Sequence, residues 1–294
     1  MCYFNRMDIA DRQRPPAGAL VLDHVAHFVP DLGSAGELLE ALGFVPTPLS
    51  HHRIGGKPAG TSNRCLMLRE GYIEILAPTL DTPNAERARD HVARVRDHMA
   101  RYPGVHLVCF GTPAAEADHA RLVTQGFDPE PLVELRRKTA DSTLGFKVVY
   151  APPKKMPEGR IQYCQQLTPE LLWTKAHLAH RNGVLGLAAA WIVARDPLEA
   201  AARWGRYSAL LPSRDGDLVR FDCARGRIYI GTRKALSAFI DDVPPAPGVA
   251  AIGFRFRNPE SFAKRLKKLG LRARKTRRGH SVTLPPALGG TWIF

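Results

Sequence analysis

Leu22-Asp23-His24-Val25-Ala26-His27-Phe28-Val29-Pro30, followed later by Gly71-Tyr72-Ile73-Glu74-Ile75-Leu76-Ala77-Pro78, forms a two-strand signature. It returns in altered form as Gly104-Val105-His106-Leu107-Val108-Cys109-Phe110 and Gly159-Arg160-Ile161-Gln162-Tyr163-Cys164. Each copy opens on an apolar strand carrying histidine and closes on a Gly-led strand whose fourth residue is Glu or Gln. Two imidazoles, a carboxylate and an amide make a ligand set for a divalent metal. If the copies pack as a pair, His24, Glu74, His106 and Gln162 converge from four strands.

Along the chain the apolar period switches repeatedly between two and 3.6, which argues for alternating strands and helices. After the first strand, a helix starts at Asp31-Leu32-Gly33-Ser34-Ala35, carries Leu32, Leu38, Leu39 and Leu42 as its stripe, and ends at Gly43. A short strand at Phe44-Val45 is expected next. A Gly/Pro-rich loop (residues 54–60) and strands over 64–69 and 72–76 follow. The second unit repeats this order with strand 105–110, helix 114–124 and strands 132–138, 144–150 and 160–165. A charged helix over 84–102 bridges the two. A third unit runs from strand 186–194 through helix 197–206 to strands 218–223 and 227–232. The fourth has strand 248–256, helix 259–269 and strands 281–284 and 291–294. Trp173, His177 and His180 fall at helical spacing and predict a helix packed between the halves. Four β-α-β-β-β units result, and this internal repeat decides the fold class. That class is α+β, divided into an N-terminal arm (1–19), a first pair of units (20–182) and a degenerate second pair (183–294).

Composition is that of a soluble globular protein, 45% hydrophobic and 24% charged over 294 residues. No apolar run approaches the roughly 18–20 residues needed to span a bilayer, and the first 18 residues lack the apolar stretch of a secretory signal. The five cysteines, Cys2, Cys65, Cys109, Cys164 and Cys223, are scattered and form no C-x-x-C pair, which fits a reducing cytoplasm. Lys and Arg number 42 against 28 Asp and Glu, a formal charge of +14, an excess that favours anionic partners. Basic residues cluster at 264–268, on one helix face, and at 272–278, in a strand or turn. Aromatics are not interleaved with them and no recognition helix is visible, so nucleic acid is not an expected partner. Phosphate-loop, dinucleotide and serine-hydrolase motifs are absent.

The layout and these motifs resemble the vicinal-oxygen-chelate superfamily, which includes glyoxalase I, extradiol dioxygenases and bleomycin-resistance proteins. Leu22-Asp23-His24, the stretch Gly60-Thr61-Ser62-Asn63 after His51-His52, and Gly71-Tyr72-Ile73-Glu74 are similar to its glyoxalase-like domain branch. The resemblance implies that paired units curl into open, cup-shaped mixed sheets with helices outside and metal and substrate within. It places His24 in the first cup and leaves His27, of opposite parity, to the outer face.

Glu74 stands in a run otherwise apolar on both faces, where a carboxylate is costly unless paired or metal-bound; a salt bridge to Arg64 or Arg69 is the structural alternative. Gln162 holds the equivalent place in the second unit. In the glyoxalase I pattern this place carries a carboxylate that moves the proton; an amide can ligate but not accept a proton near neutral pH. The extradiol pattern also draws a carboxylate from this position. Glu74 and Gln162 are therefore the candidate catalytic residues, and His24, Glu74, His106 and Gln162 the candidate ligands of one divalent metal, Fe, Zn, Mn or Ni. His51, His52 and Asn63 match the branch's pattern as substrate contacts, and Arg136, with Arg137 and Lys138, could hold an anionic substrate. The third and fourth units offer nothing comparable: Tyr229 stands where Glu74 would, and alanines stand near the histidine places. A metal-dependent lyase, isomerase or dioxygenase acting on a small oxygenated metabolite is the leading expectation. A non-catalytic binding or sequestering cup is the alternative, and both monomer and homodimer are compatible with four units.

Overall fold

The computed structural model describes residues 9–54, 57–78, 86–138 and 142–294. The opening apolar run forms β1 (Val21–Phe28), buried along its whole length. Asp31 then accepts from the Ser34 N–H and caps α1 (Leu32–Ala41). Strands β2 (Ser50–Ile54), β3 (Lys57–Met67) and β4 (Tyr72–Pro78) complete the first unit, and α2 (Glu86–Arg101) leads to the second. That unit comprises β5 (Gly104–Gly111), α3 (Ala115–Thr124), β6 (Val133–Lys138), β7 (Thr143–Tyr150) and β8 (Arg160–Gln166). The third comprises β9 (Val184–Val193), α4 (Pro197–Ser208), β10 (Pro212–Asp215), β11 (Leu218–Asp222) and β12 (Arg227–Gly231). After α5 (Arg233–Ser237), the fourth comprises β13 (Gly248–Phe256), α6 (Pro259–Lys268), β14 (Arg274–Thr276), β15 (Gly279–Thr283) and β16 (Thr291–Ile293).

The strands form two eight-stranded mixed sheets of the same topology, β2-β3-β4-β1-β5-β8-β7-β6 and β10-β11-β12-β9-β13-β16-β15-β14. Four β-α-β-β-β units paired into two sheets are thus the observed architecture. In each pair the two opening strands meet antiparallel at the centre, β1 with β5 and β9 with β13, and each opening strand pairs parallel with the closing strand of its own unit.

One core joins the halves. It takes Val25, Val108 and Phe110 from the first sheet, Ile192, Ile252 and Trp292 from the second, and Leu39, Leu122, Trp204 and Phe262 from α1, α3, α4 and α6. Polar links reinforce it. Arg203 of α4 makes a bidentate pair with the fully buried Glu158 at 2.8 and 2.9 Å. The Trp292 indole donates to His27 Nε2 (3.0 Å), and His27 Nδ1 donates to the Leu288 carbonyl (3.1 Å). His27 therefore lies on the outer face, in the seam between halves.

The second cup is filled. Trp191 stacks on Tyr229 at 5.3 Å, and α5 with Phe239, Ile240 and Val243 packs over them in a separate apolar cluster. Gly253 lies beneath the Trp191 ring, where a Cβ would sit 2.8 Å from its atoms. Over the first sheet, α2 packs Val95 with Ala26, Phe28 and Leu107 in one apolar cluster and, among the described residues, leaves an open cavity beside it.

Three local expectations are corrected. Phe44-Val45 is not a strand: Phe44 packs against Phe254, Phe262 and Trp292, and Val45 N–H is taken by His180 Nδ1 (2.9 Å). The loop expected over 54–60 is mostly strand, β3 beginning at Lys57, with 55–56 outside the described residues. The helix expected around Trp173, His177 and His180 is a series of turns. There Trp173 donates to the Leu68 carbonyl and His180 Nε2 to that of Met67, at 2.8 and 2.7 Å, so tertiary bonds replace helical ones. Of the arm, residues 1–8 lie outside the described residues; Gln13 is buried and donates to the Ile9 and Arg69 carbonyls. Among the described residues no helix is long and apolar enough to cross a membrane.

Burial pushes the His27 imidazole down to about 4 and that of His106 to about 3, against the ordinary value near 6.5 in an unfolded chain. Between those limits the unfolded state binds the protons and the folded state does not, so stability is full above pH 6.5 and falls as pH drops below it. Denaturant unfolding between pH 7 and 4.5 should show this loss, with a slope approaching about 1.4 kcal/mol per pH unit for each such histidine. A flat profile would show that neither ring is buried neutral.

Candidate active site

Parity and register place the chemistry on the concave face of the first sheet. His24, Ala26 and Phe28 of β1 lie opposite Tyr72, Glu74 and Leu76 of β4. Across the sheet's centre, His24 is paired with Cys109 and Ala26 with Leu107; Cys109 in turn is paired with Gln162 and Leu107 with Arg160. Side chains at these positions share one face. All of them but Ala26 and Cys109 line a cavity of about 1180 Å³ that also touches His51, His52 and Asn63.

Two close backbone approaches set this register. A Cβ on Gly71 would lie 2.7 Å from the Asp23 carbonyl oxygen, and one on Gly159 would lie 2.6 Å from that of His106. Only glycine fits at either place, and Gly71 also has φ +75°. The two contacts make Asp23 and His106 equivalent in the paired units. The partner of Tyr72 is His24 and the partner of Arg160 is Leu107, so the residue matching His24 is Leu107.

His106 is accordingly not brought together with the other three expected ligands. It is fully buried, does not line the cavity, donates from Nε2 to the Tyr102 carbonyl (2.8 Å) and packs against Tyr102, Phe28 and His98. A one-residue register shift between Ala26 and His27 separates its place from that of His24. His24, Glu74 and Gln162 do share the cup.

Each of these three has a distinct setting. His24 Nδ1 lies 2.7 Å from Asp23 Oδ2, and the ring stacks on Tyr72 at 4.3 Å. A carboxylate accepts from Nδ1, so in the neutral ring Nε2 is left with the lone pair, the arrangement that orients metal-binding or basic histidines. Asp23 also accepts from Gln166 Nε2 (3.1 Å). Glu74 Oε1 accepts from Asn63 Nδ2 (2.7 Å) and lies 3.8 Å from His52 Nε2. Burial alone would raise the Glu74 carboxyl. The His52 and His24 imidazoles, the Asn63 amide and the Arg160 guanidinium outweigh it and hold the group below its usual value. Glu74 is thus an ionised carboxylate on a largely apolar floor, and its partners are not Arg64 or Arg69. Gln162 Oε1 is buried and has no hydrogen-bond partner, an acceptor awaiting a cation or a donor.

The rim residues fall around this floor. His51 Nδ1 is bonded to Ser62 Oγ (2.7 Å) and His52 Nδ1 to Thr61 Oγ1 (3.0 Å), both from β2 across to β3. Arg136 touches the cavity but is largely exposed and engaged by Glu134 at 2.5 Å; the side chains of Arg137 and Lys138 lie outside the described residues. Three participants escaped the sequence reading: Asp23 behind His24, Cys109 beside it and Arg160. The ligating atoms of Asp23, His24 and Cys109 lie within 4.8 Å of one another. Each was legible in principle, Asp23 as the neighbour of His24, Cys109 by parity, and Arg160 as the residue after Gly159.

The donor set tests whether a divalent metal fits. His24 Nε2 is backed by a carboxylate, Glu74 is ionised, and Gln162 presents an unpartnered buried oxygen, which together suit a borderline or hard divalent cation. Leu107 closes the fourth place with a hydrocarbon. The corresponding places of the second sheet carry Ala189, Tyr229, Ala251 and Ile293, no ligand set at all.

Comparison with known proteins agrees with this architecture. A family model described as a glyoxalase-like domain matches residues 22–208, reaching past the first pair of units into β9 and α4. A search of curated protein sequences finds no match. Among solved structures, a hypothetical protein from Staphylococcus aureus is 12% identical with a TM-score of 0.63, covering 93% of this chain and 98% of its own. The Mn(II)-bound glyoxalase from Novosphingobium aromaticivorans is 10% identical with a TM-score of 0.57, over 93% and 81% of the two chains. A mutant of 4-hydroxymandelate synthase from Streptomyces coelicolor is 14% identical with a TM-score of 0.53, over 93% and 92%. At such identities the likeness is one of fold. With the match over residues 22–208 and two sheets of paired β-α-β-β-β units, the chain belongs to the glyoxalase-like domain family of the vicinal-oxygen-chelate superfamily.

Proposed function

We propose that the first cup is the active site of an enzyme that moves a proton next to a carbonyl or hydroxyl of a small oxygenated metabolite. The observation that carries this reading is Glu74: a carboxylate on an enclosed floor, kept ionised by His52, His24, Asn63 and Arg160, and facing a cavity large enough for a metabolite. Such a group is costly to maintain in a binding cup that has no use for it. It is the kind of base that proton abstraction requires.

A divalent metal would be held by His24 Nε2, the Glu74 carboxylate and the Gln162 amide oxygen. Bound there, it supplies a Lewis acid that polarises neighbouring substrate oxygens. The protein's own groups divide the remaining work unequally. Gln162 hydrogen-bonds but takes no proton at neutral pH, so proton traffic falls to the Glu74 side. His52, half-exposed and 3.8 Å from Glu74 Oε1, is placed to pass the proton between Glu74 and solvent. Asn63 holds Glu74 in one orientation, and Asp23 fixes the tautomer of His24. Phe28, Phe146 and Val148 wall the cavity and keep water from the reacting carbon. The unequal pair also motivates a second reading, a sequestering cup, since Leu107 and Gln162 stand where His24 and Glu74 stand in the first unit.

The test is enzyme-dependent exchange of α-protons in D2O, followed by NMR, with a panel of 2-oxo acids and 2-hydroxy ketones and metal-supplemented protein. The proposal predicts exchange that falls about 100-fold or more in Glu74→Gln, the scale of a lost general base. Binding without exchange would favour the sequestering cup. A second outcome follows from the His52 charge. The rate requires ionised Glu74, so its acidic limb lies below the ordinary carboxylate range. His52→Gln removes the first of the opposing influences on Glu74 and should move that limb to higher pH; an unmoved limb would separate His52 from the proton path.

A further inference from the structure

The two units of the first cup differ most sharply in one pair of residues. Where the first unit places His24 beside Tyr72, the second places Leu107 beside Arg160. The second unit thus exchanges a ligating histidine for a hydrocarbon and sets a guanidinium next to it, on the cavity wall. Arg160 lies over the Tyr150 ring, 4.8 Å from its centroid, a stack that fixes the plane of the guanidinium. Among the described residues no carboxylate lies within 4 Å of it. The contrast with other arginines of the wall is direct: Arg94 is engaged by Glu130 at 2.8 Å and Arg136 by Glu134.

Register fixes what Arg160 can reach. Glu74, Ala26, Leu107 and Arg160 follow one another across four adjacent strands, three strand spacings or about 14 Å of sheet. The two central side chains are apolar and buried, packed with Val95 of α2 in one cluster, so Glu74 and Arg160 are the polar ends of the row, within electrostatic reach of each other. A molecule lying along this row meets a cation at one end and the ionised Glu74 at the other. A partly buried guanidinium without a carboxylate partner is stabilised by an anion delivered with the ligand.

Resting on the active-site reading above, we propose that the substrate is a carboxylate with a bulky apolar body, its carboxylate held by Arg160 and its reacting oxygens directed toward His24 and Glu74. Arg160, not the exposed Arg136, is the specificity-determining cation. The apolar body lies against Phe28, Phe146 and Tyr150 on the cavity wall. Substitution of the second histidine place thus redirects half of the cup from ligating metal to selecting an anion.

Calorimetric titration with 2-oxo-4-phenylbutyrate and its methyl ester tests this by binding alone, independently of turnover. Wild-type protein should favour the acid over the ester by about 30-fold or more, the least expected when one member of a partly buried charge pair is removed. Arg160→Met should bring the ratio close to one while the ester's Kd stays within about two-fold, and Arg160→Lys should fall between, since an ammonium keeps the charge without the fork. Glu74→Gln should keep the preference. An acid preference that survives in Arg160→Met, or no acid preference in the wild type, overturns the assignment and leaves the Glu74 reading standing. A preference lost in Glu74→Gln but kept in Arg160→Met overturns it as well, and places the anion elsewhere.

Discussion

The parallel pairing of each unit's first and last strands is the constraint on which this molecule depends. A glycine at the head of the last strand, Gly71 or Gly159, lets its backbone slide against the carbonyl of Asp23 or His106 with no room for a side chain. Because side chains alternate with a period of two, that contact decides which residues look into the cup. One residue of slippage would turn His24 and Glu74 toward the apolar core and bring His27 into the cavity. Charges in that core would be costly and His27 would lose Trp292, so the register is held by burial as well as by the glycines.

Within this frame the two halves of the first cup have diverged. The first unit keeps a histidine backed by a carboxylate and an ionised glutamate; the second has Leu107, Arg160 and Gln162 in the matching places. Quasi-symmetric pairing therefore yields an asymmetric site, with proton-accepting groups on one side and a cation with an amide on the other. The second sheet has gone further. Its four matching places hold Ala189, Tyr229, Ala251 and Ile293, and α5 with Phe239 and Ile240 occupies its hollow. It still supports the first sheet: Leu22 N–H donates to the Arg225 carbonyl (2.7 Å), Ala224 N–H donates to the Leu20 carbonyl (2.8 Å), and the Arg225 guanidinium lies within electrostatic reach of Asp23. The strand that carries Asp23 and His24 is thus tied down by the turn between β11 and β12.

Much of this was legible in the sequence. Alternating periods of two and 3.6, Asx residues at helix starts and Gly-led closing strands announce four units, and the isolated Glu74 in an apolar run marks the cup. His106 sits apart from His24, Glu74 and Gln162 for a physical reason. Matching histidine to histidine ignored the strand irregularity between Ala26 and His27, which leaves His106 unpaired in the ladder, packed on Phe28 and His98 and bonded to the Tyr102 carbonyl. Matching Gly159 to Gly71 through their strand partners gives Leu107 instead. The turns at Trp173–His180 mimic a helix in spacing while Trp173 and His180 bond the Leu68 and Met67 carbonyls at the end of β3, a tertiary fact that local pattern does not carry. Arg160 was overlooked because an arginine on a strand reads as solvated until its neighbours across the sheet are known. The short β10 and β14 and the plugging helix α5 have too few periodic residues to declare themselves.

The measurement that bears most directly on the asymmetric site is metal content and metal affinity of the purified protein beside its His24→Ala/Glu74→Ala and His106→Gln variants, each shown to be folded by circular dichroism. Close to one divalent ion per wild-type chain is expected after reloading, with its loss in the double variant and its retention in His106→Gln, whose amide can still donate to the Tyr102 carbonyl. Loss of the ion in His106→Gln with retention in the double variant would contradict it, as would a chain that takes up no ion in any form.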